Sequence, residues 1–262
     1  MQRIGVMHCE QTYRYETPRQ GVLGRDRTGI ITLDPHRNFE QALKDLGQFE
    51  RIWLVFVFHH NAKWKPLVRV PRHRTDKVGV FATRAPYRPN PIGLTCARLL
   101  RVNGRTLHVS EIDLLDGTPI LDIKPYLPYA DSFATASTGW VEDAVEQLYA
   151  ISYSETALRQ ADWLRERAGI NLRGFIEVQL QHSPTNTARK RITLGAGRNA
   201  AALAPYVLAY RTWRIRYRIH AAISVVHIES VESGYSAAEL EDLTSDRYGD
   251  KALHAAFLSN MA

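Results

Sequence analysis

Phe81-Ala82-Thr83-Arg84-Ala85-Pro86-Tyr87-Arg88-Pro89-Asn90-Pro91-Ile92-Gly93-Leu94-Thr95 sets three prolines, two arginines and a glycine within one short segment. Each proline fixes its own φ and pushes the residue before it toward extended geometry, so residues 87–90 can form neither a helix nor a central strand. The segment reads as a stiff loop joining a strand over 78–82 to a strand over 92–100. Such a loop would hold Arg84 and Arg88 in fixed positions, with Asn90 as a neutral donor and acceptor and Gly93 permitting close backbone approach. That combination suits a polar or anionic ligand; equally, it describes a proline-rich surface turn with solvated arginines.

Downstream, Asn103-Gly104 is a hairpin signal that turns the 92–101 strand back into one over 106–115. Asp116-Gly117-Thr118-Pro119 is a tight turn, and 120–128 is an extended run ending at prolines. Upstream, strands are expected over 2–9 and 28–33, separated by a polar loop over 10–27 with no hydrophobic period. A short helix is expected from Asn38, with Gln41 at the capping-box position, Leu43 and Leu46 on its buried face and Gly47 as its stop. Residues 51–60 are β-branched and aromatic without alternation, which predicts a strand buried on both faces. Short strands joined by turns make this part of the chain mainly β, a barrel or a sandwich.

Phe58-His59-His60 ends the 51–60 strand, and histidines there could be ligands, bases or packing groups. No His-x-x-x-His or Cys-x-x-Cys accompanies them, so no metal site is expected. Residues 63–77 carry Lys63, Lys65, Arg69, Arg72, Arg74 and Lys77 against one acid, Asp76, which makes them a solvated basic loop or a phosphate-facing rim. Further on, Asp116 reads as an Asx-turn former, whereas Asp113 and Asp122 sit inside strand-like apolar runs, close to Lys124.

Ala82-Thr83-Arg84-x-x-x-Arg88-Pro89-Asn90-Pro91-Ile92-Gly93, followed by Asp113-Leu-Leu-Asp-Gly-Thr-Pro-Ile-Leu-Asp-Ile-Lys-Pro-Tyr126, resembles the TsaA-like (TrmO) family, whose bacterial members include a tRNA methyltransferase. Pro18-Arg19-Gln20 and Phe58-His59 match as well, so the resemblance spans residues 1–150 and weakens beyond them. It implies a β-barrel enzyme, not a Rossmann one, that uses S-adenosylmethionine to methylate N6 of threonylcarbamoyladenosine at position 37 of tRNA and works as a homodimer. It further implies Pro18, Arg19, Gln20, Phe58, His59, Arg84, Leu94, Asp113 and Leu114 as cofactor contacts. The acceptor nitrogen must lose a proton, for which Asp113, Asp122 and His59 are the candidates. Arg88, Asn90 and Lys124 would face the substrate, with Arg88 or Lys124 clamping its carboxylate. Two readings from other classes stay open: a non-catalytic RNA-binding adaptor that keeps the barrel, and a metal-dependent hydrolase using His59, His60 and the aspartates.

The 262 residues, 45% hydrophobic and 23% charged, have the composition of a soluble globular protein with one large or two smaller domains. The longest apolar run, 52–58, falls far short of the ~20 residues that span a bilayer, and the N-terminus lacks a signal-peptide core, so a cytoplasmic protein is expected. Cys9 and Cys96 are expected to be free thiols. A net charge of +7 is compatible with a polyanionic partner.

The expected division is a barrel domain over 1–150, a small α+β domain over 151–231 and a tail over 232–262 with no assigned role. Residues 127–152 lose periodicity and read as the linker, with a short helix over 140–150. Helices are expected over 154–169 and 172–181, strands over 206–219 and 221–231, and a helix over 236–243. Gly195-Ala-Gly-Arg-Asn-Ala200 matches a dinucleotide fingerprint but lacks a βαβ frame and has no acid before Glu229, so it is rejected. Residues 178–228 contain no Asp or Glu, and a period of two sets Arg214, Arg216 and Arg218 on one strand face, opposite Trp213, Ile215 and Tyr217. This arginine stripe is expected to bind tRNA phosphates, because the interspersed acids of a merely solvated face are missing.

Overall fold

The computed structural model describes residues 1–24, 27–70, 76–141, 147–187, 191–195, 205–242 and 244–261. The chain divides into two compact units, Met1–Glu146 and Gln147–Ala262.

The first unit contains β1 (Gly5–Cys9), β2 (Thr28–Leu33), the single turn α1 (Phe39–Ala42), β3 (Arg51–Val57), β4 (Leu67–Arg69), β5 (Lys77–Gly79), β6 (Ile92–Asn103), β7 (Thr106–Ser110), β8 (Pro119–Pro125) and the single turn α2 (Pro128–Asp131). Six of these strands close into a barrel in the order β1-β2-β7-β6-β3-β8, all antiparallel, while β4 and β5 form a separate two-stranded ribbon. Met7, Ile31, Ile52, Leu54, Leu107 and Ile120 are fully buried inside the barrel. That burial drives closure, and closure removes the exposed edges a flat sheet would present.

Burial along β3 alternates, with Ile52, Leu54 and Phe56 turned inward and Trp53, Val55 and Val57 half-buried on the outside. The expectation of a strand buried on both faces is corrected accordingly. The helix expected from Asn38 is one turn only; Asn38 takes a left-handed φ of 55° and its side chain makes no cap. The strand expected over 78–82 stops at Gly79, and Val80–Ala82 is a 3-10 turn.

The second unit contains β9 (Ala150–Tyr153), α3 (Glu155–Ala168), α4 (Leu172–Leu180), β10 (Ile192–Leu194), β11 (Tyr206–Tyr210), β12 (Trp213–His220), β13 (Val225–Ser233), α5 (Ala237–Glu241) and α6 (Lys251–Met261). Its sheet runs β10-β11-β12-β13-β9, with β9 parallel to β13. Ser154 caps α3 by accepting from the Ala157 N–H, and Gly169 closes it at φ 65°. The strand expected over 206–219 is instead a hairpin that turns at Arg211, φ 49°. No helix forms over 147–150: Ala150 opens β9, and residues 142–146 lie outside the described ones, as do Arg72, Arg74 and most of the Gly195 to Ala200 motif.

Residues 232–262 are no detached tail. Helix α6 buries His254 and Phe257, whose rings lie 3.6 and 4.9 Å from Trp213, and the His254 ring nitrogens hydrogen-bond Ser233 and Thr212 at 2.8 Å.

Trp213, Ile215 and Tyr217 are fully buried on one face of β12, as the period of two requires. The other face is not acid-free, because β13 brings Glu232 and Glu229 alongside it. Arg216 pairs with Glu232 at 2.6 Å, Arg218 pairs with Glu229, and Arg214 donates to the carbonyls of Arg211 and Trp213. Three arginines less two glutamates leave one net charge, so the expected phosphate-binding stripe is corrected to a largely neutralised face.

Among the described residues, no helix is long and apolar enough to cross a membrane.

In the β3–β6 register Gly93 stands opposite Phe56, whose ring covers it so closely that a Cβ would overlap the ring. Gly93→Ala should cost about 1–3 kcal/mol through overpacking, read as a lower urea midpoint at unchanged m-value.

Candidate functional site

A cavity of about 550 Å³ in the first unit is walled by the outer residues of β3 and β6, the turn after β3, the 83–91 loop, and residues from the 14–20 and 113–118 segments. Each wall has a local reason for its shape. In the 10–24 loop the buried carboxylate of Glu16 accepts from the Thr12 and Tyr13 N–H groups at 2.9 and 3.1 Å, so the loop is ordered in spite of its polar composition. A 3-10 turn over Gly21–Leu23 then presses against the 111–118 segment, where a Cβ on Gly21 would collide with the Glu111 carbonyl. This close approach brings Pro18, Arg19 and Gln20 to the cavity.

The 83–91 loop is stiffened by more than its prolines. Arg88 Nη1 donates to the carbonyls of Val80 and Thr83 at 3.1 and 2.8 Å, Thr83 Oγ1 donates to Val80 O at 2.9 Å, and Trp140 Nε1 donates to Ala82 O at 2.9 Å. Arg84 is left pointing at the cavity, its Nη1 donating to Gln20 Oε1 at 2.6 Å.

All nine residues expected around a cofactor, namely Pro18, Arg19, Gln20, Phe58, His59, Arg84, Leu94, Asp113 and Leu114, line this one cavity, and Arg88 lines it too. Asp122, Lys124 and Asn90 do not. A bulge between Val55 and Phe56 sets Asp122 opposite Val55 and Lys124 opposite Trp53, on the outer side of β8, where the two pair with each other at 2.8 Å. Asp122 is thereby corrected as a base and Lys124 as a clamp, since each already neutralises the other. Asn90 is exposed and supplies its backbone carbonyl to Ile92 N–H. The guanidinium of Arg88, spent on loop carbonyls and 5.6 Å from the Phe81 ring, is a strut of the loop.

Sequence reasoning missed Arg14, Trp53, Asn61 and Thr118, which also line the cavity. No local pattern in the sequence points to any of the four.

Asp113 stands out electrostatically. Burial raises its pKa to about 6, opposed by a hydrogen bond from the Thr95 hydroxyl and by the charge of Arg84, while its Oδ1 is buried with no partner. Asn61 Oδ1 is likewise buried and unpartnered. His59 is held below the ordinary imidazole range by burial and by the neighbouring His60, so it is neutral at pH 7 and able to accept a proton. Cys9 and Cys96 are free thiols, and burial pushes Cys9 up to about 11, which removes it as a nucleophile. Among the described residues no group of three or more His, Cys, Asp or Glu side chains could hold a metal ion. The site can therefore bind a ligand rich in hydrogen-bond donors and take up a proton near neutrality.

A family model described as the tRNA-methyltransferase O N-terminal domain matches residues 6–132. The chain is 35% identical over 196 residues to the tRNA (adenine(37)-N6)-methyltransferase of Escherichia coli, covering 72% of this chain and 83% of that one. It is 41% identical over 145 residues to a protein of Pyrococcus abyssi described as a probable S-adenosyl-L-methionine-binding protein, covering 55% of this chain and 77% of that one. A crystal structure of TrmO from Pseudomonas aeruginosa superposes with a TM-score of 0.61 at 31% identity, over 88% of this chain and 96% of that one.

Because a buried carboxylate with an empty acceptor position is costly, Asp113→Asn should raise folding stability at pH 8 by on the order of 1–2 kcal/mol, seen as a higher thermal midpoint. The wild-type Asp113 carboxyl carbon should titrate with a midpoint near 6 by NMR, well above an ordinary aspartate.

Proposed function

Since the chain belongs to the tRNA-methyltransferase O family, we propose that its barrel cavity binds S-adenosylmethionine and serves methyl transfer to N6 of adenosine 37 in tRNA, with the adenosine carrying a threonylcarbamoyl group. Membership makes it an S-adenosylmethionine-dependent tRNA methyltransferase; the residue roles and the threonylcarbamoyl group are the finer part of the proposal. The observation that carries it is the convergence of four separate chain segments on one cavity that holds buried, unpartnered acceptors.

Those acceptors fit the cofactor. Asp113 Oδ1 and Asn61 Oδ1 both lack donors, and the cofactor brings an ammonium group, an adenine amine and ribose hydroxyls. Trp53, Phe58 and the His59 ring offer flat apolar walls. When bound, S-adenosylmethionine supplies an electrophilic methyl group on a sulfonium. The protein's own part is alignment, exclusion of water and removal of the proton that N6 gives up. Asp113 and neutral His59 are groups in the cavity able to take that proton; burial holds Asp113 up to about 6, against the Thr95 hydrogen bond, a backbone hydrogen bond and the smaller effect of the Arg84 charge. The threonylcarbamoyl carboxylate finds cationic donors in Arg14 and Arg84, which line the same cavity.

We extend the proposal to a homodimer, supported by exposed apolar side chains on the barrel unit such as Tyr129 and Phe133, and, with tRNA as substrate, to the cytoplasm.

The deciding experiment is incubation with labelled S-adenosylmethionine and tRNA with or without the threonylcarbamoyl group. Label should enter only the modified tRNA, and equal transfer to both would sink the substrate assignment. With Asp113 as the base, kcat/KM should fall about tenfold per pH unit below an apparent pKa near 6, and Asp113→Asn should abolish that limb. Arg84→Ala should weaken S-adenosylmethionine binding in calorimetry and move the acid limb to higher pH, because the charge that lowers the Asp113 pKa is gone.

A further inference from the structure

We infer that the β4–β5 ribbon is a tRNA-docking arm, which grips the phosphate backbone of the loop carrying the target adenosine and stacks Trp64 on an unpaired base. The inference rests on the tRNA substrate proposed above. In the ribbon's register Arg69 stands directly opposite Lys77, and both are exposed. Like charges facing each other across two strands destabilise a ribbon, and among the described residues neither of these has an ion-pair partner. Exposed Leu67 shares their face, while Val68 is buried on the other side, so the two cations are presented together on one outer surface. A polyanion laid across that surface would convert the repulsion into two charge-assisted contacts.

Trp64 strengthens the case. It is 53% exposed, with Lys63 and Lys65 on either side of it in the chain, and the Lys65 ammonium lies 5.0 Å over the Tyr87 ring. An exposed indole on a cation-bearing segment suits single-stranded nucleic acid, the ring taking a base and the cations of the segment the backbone. The ribbon is also rooted at the site. Lys65 N–H donates to Tyr87 O at 3.0 Å, and Val80 N–H donates to Pro66 O at 2.9 Å, which fastens the ribbon to the loop that carries Arg84 into the cavity.

The test compares wild type, Arg69→Gln/Lys77→Gln and Trp64→Ala in tRNA binding across a salt series and in methyl transfer. The double variant should flatten the slope of log affinity against log salt by about 1.5 to 2 and raise KM for tRNA, with kcat and S-adenosylmethionine affinity unchanged. Its thermal midpoint should be no lower than wild type, since a repulsive pair has been removed. Trp64→Ala should weaken tRNA affinity on the order of tenfold with the salt slope unchanged. Wild-type slope and KM in a cooperatively melting double variant overturn the arm, and wild-type affinity in Trp64→Ala overturns the stacking. Wild-type tRNA binding without methyl transfer would strike the enzymatic reading instead, while the salt comparison would still decide the arm.

Discussion

Closure of the barrel is the constraint on which the site depends. β8 meets β1 at only two register positions, Gly5 with Ile120 and Val6 with Pro119. The seam is completed by irregular bonds: Ile4 N–H to Ile120 O at 2.8 Å, Met7 N–H to Thr118 O and Gly117 N–H to Met7 O at 2.9 Å, and Asp116 N–H to Gln11 O at 2.7 Å. Cys9 N–H adds a bond to the Asp116 carboxylate at 3.1 Å. These bonds satisfy the last free edge of the sheet and, in doing so, fix the 111–118 turn against the start of the 10–24 loop. Asp113, Leu114 and the Pro18-Arg19-Gln20 segment are therefore positioned by the same contacts that hold the barrel shut.

That scaffold supports a local arrangement the protein would not choose for stability. Asp113 could be fully satisfied by a second hydroxyl or a direct arginine, and its pKa would then fall into the ordinary carboxylate range. Instead it has the Thr95 hydroxyl, a backbone N–H and the field of Arg84, whose guanidinium is tethered to Gln20, and burial outweighs them. A carboxylate left with an empty acceptor position can bind a donor or a proton, and a saturated one cannot. The well-packed interior around Ile52, Leu54 and Leu107 is what tolerates this expense.

Turn chemistry and proline geometry made much of the barrel legible. The Asn103-Gly104 signal marks the hairpin between β6 and β7, whose two turn residues are Gly104, at φ 54°, and Arg105, with Asn103 still paired to Thr106, and the prolines of the 83–91 loop exclude regular structure there. β3 was harder, because Trp53, Val55 and Val57 on its outer face are apolar as well, Trp53 and Val57 as part of the cavity wall, and apolar residues on both faces erase the alternation that burial shows. Asp122 and Lys124 were beyond sequence reasoning for a related reason: an extra residue in β8, Leu121, between Ile120 opposite Phe56 and Asp122 opposite Val55, decides which residues of β8 face outward, and no residue type marks it. β9 is four residues long and pairs in parallel with a strand more than 70 positions away, so a local window sees only a polar linker. His254, buried under Trp213 and satisfied by Ser233 and Thr212, breaks the apolar face by which a core helix is recognised.

Charge shows most clearly where a linear reading fails. The acid-free run 178–228 suggested an open cationic surface, yet Glu229 and Glu232 lie just past its end, and strand pairing folds them back beside Arg218 and Arg216. Each half-exposed pair adds little to stability, but together they cancel most of the field that would have drawn a polyanion. The opposite happens at residues 63–77, where the sequence shows a cationic loop with one acid and pairing sets cation against cation in register. Which of two basic segments keeps its field is therefore decided by strand register and not by composition. The +7 of the whole chain says that an excess exists somewhere, and the folded pairing sets two exposed cations, Arg69 and Lys77, face to face on the ribbon rooted beside the cavity.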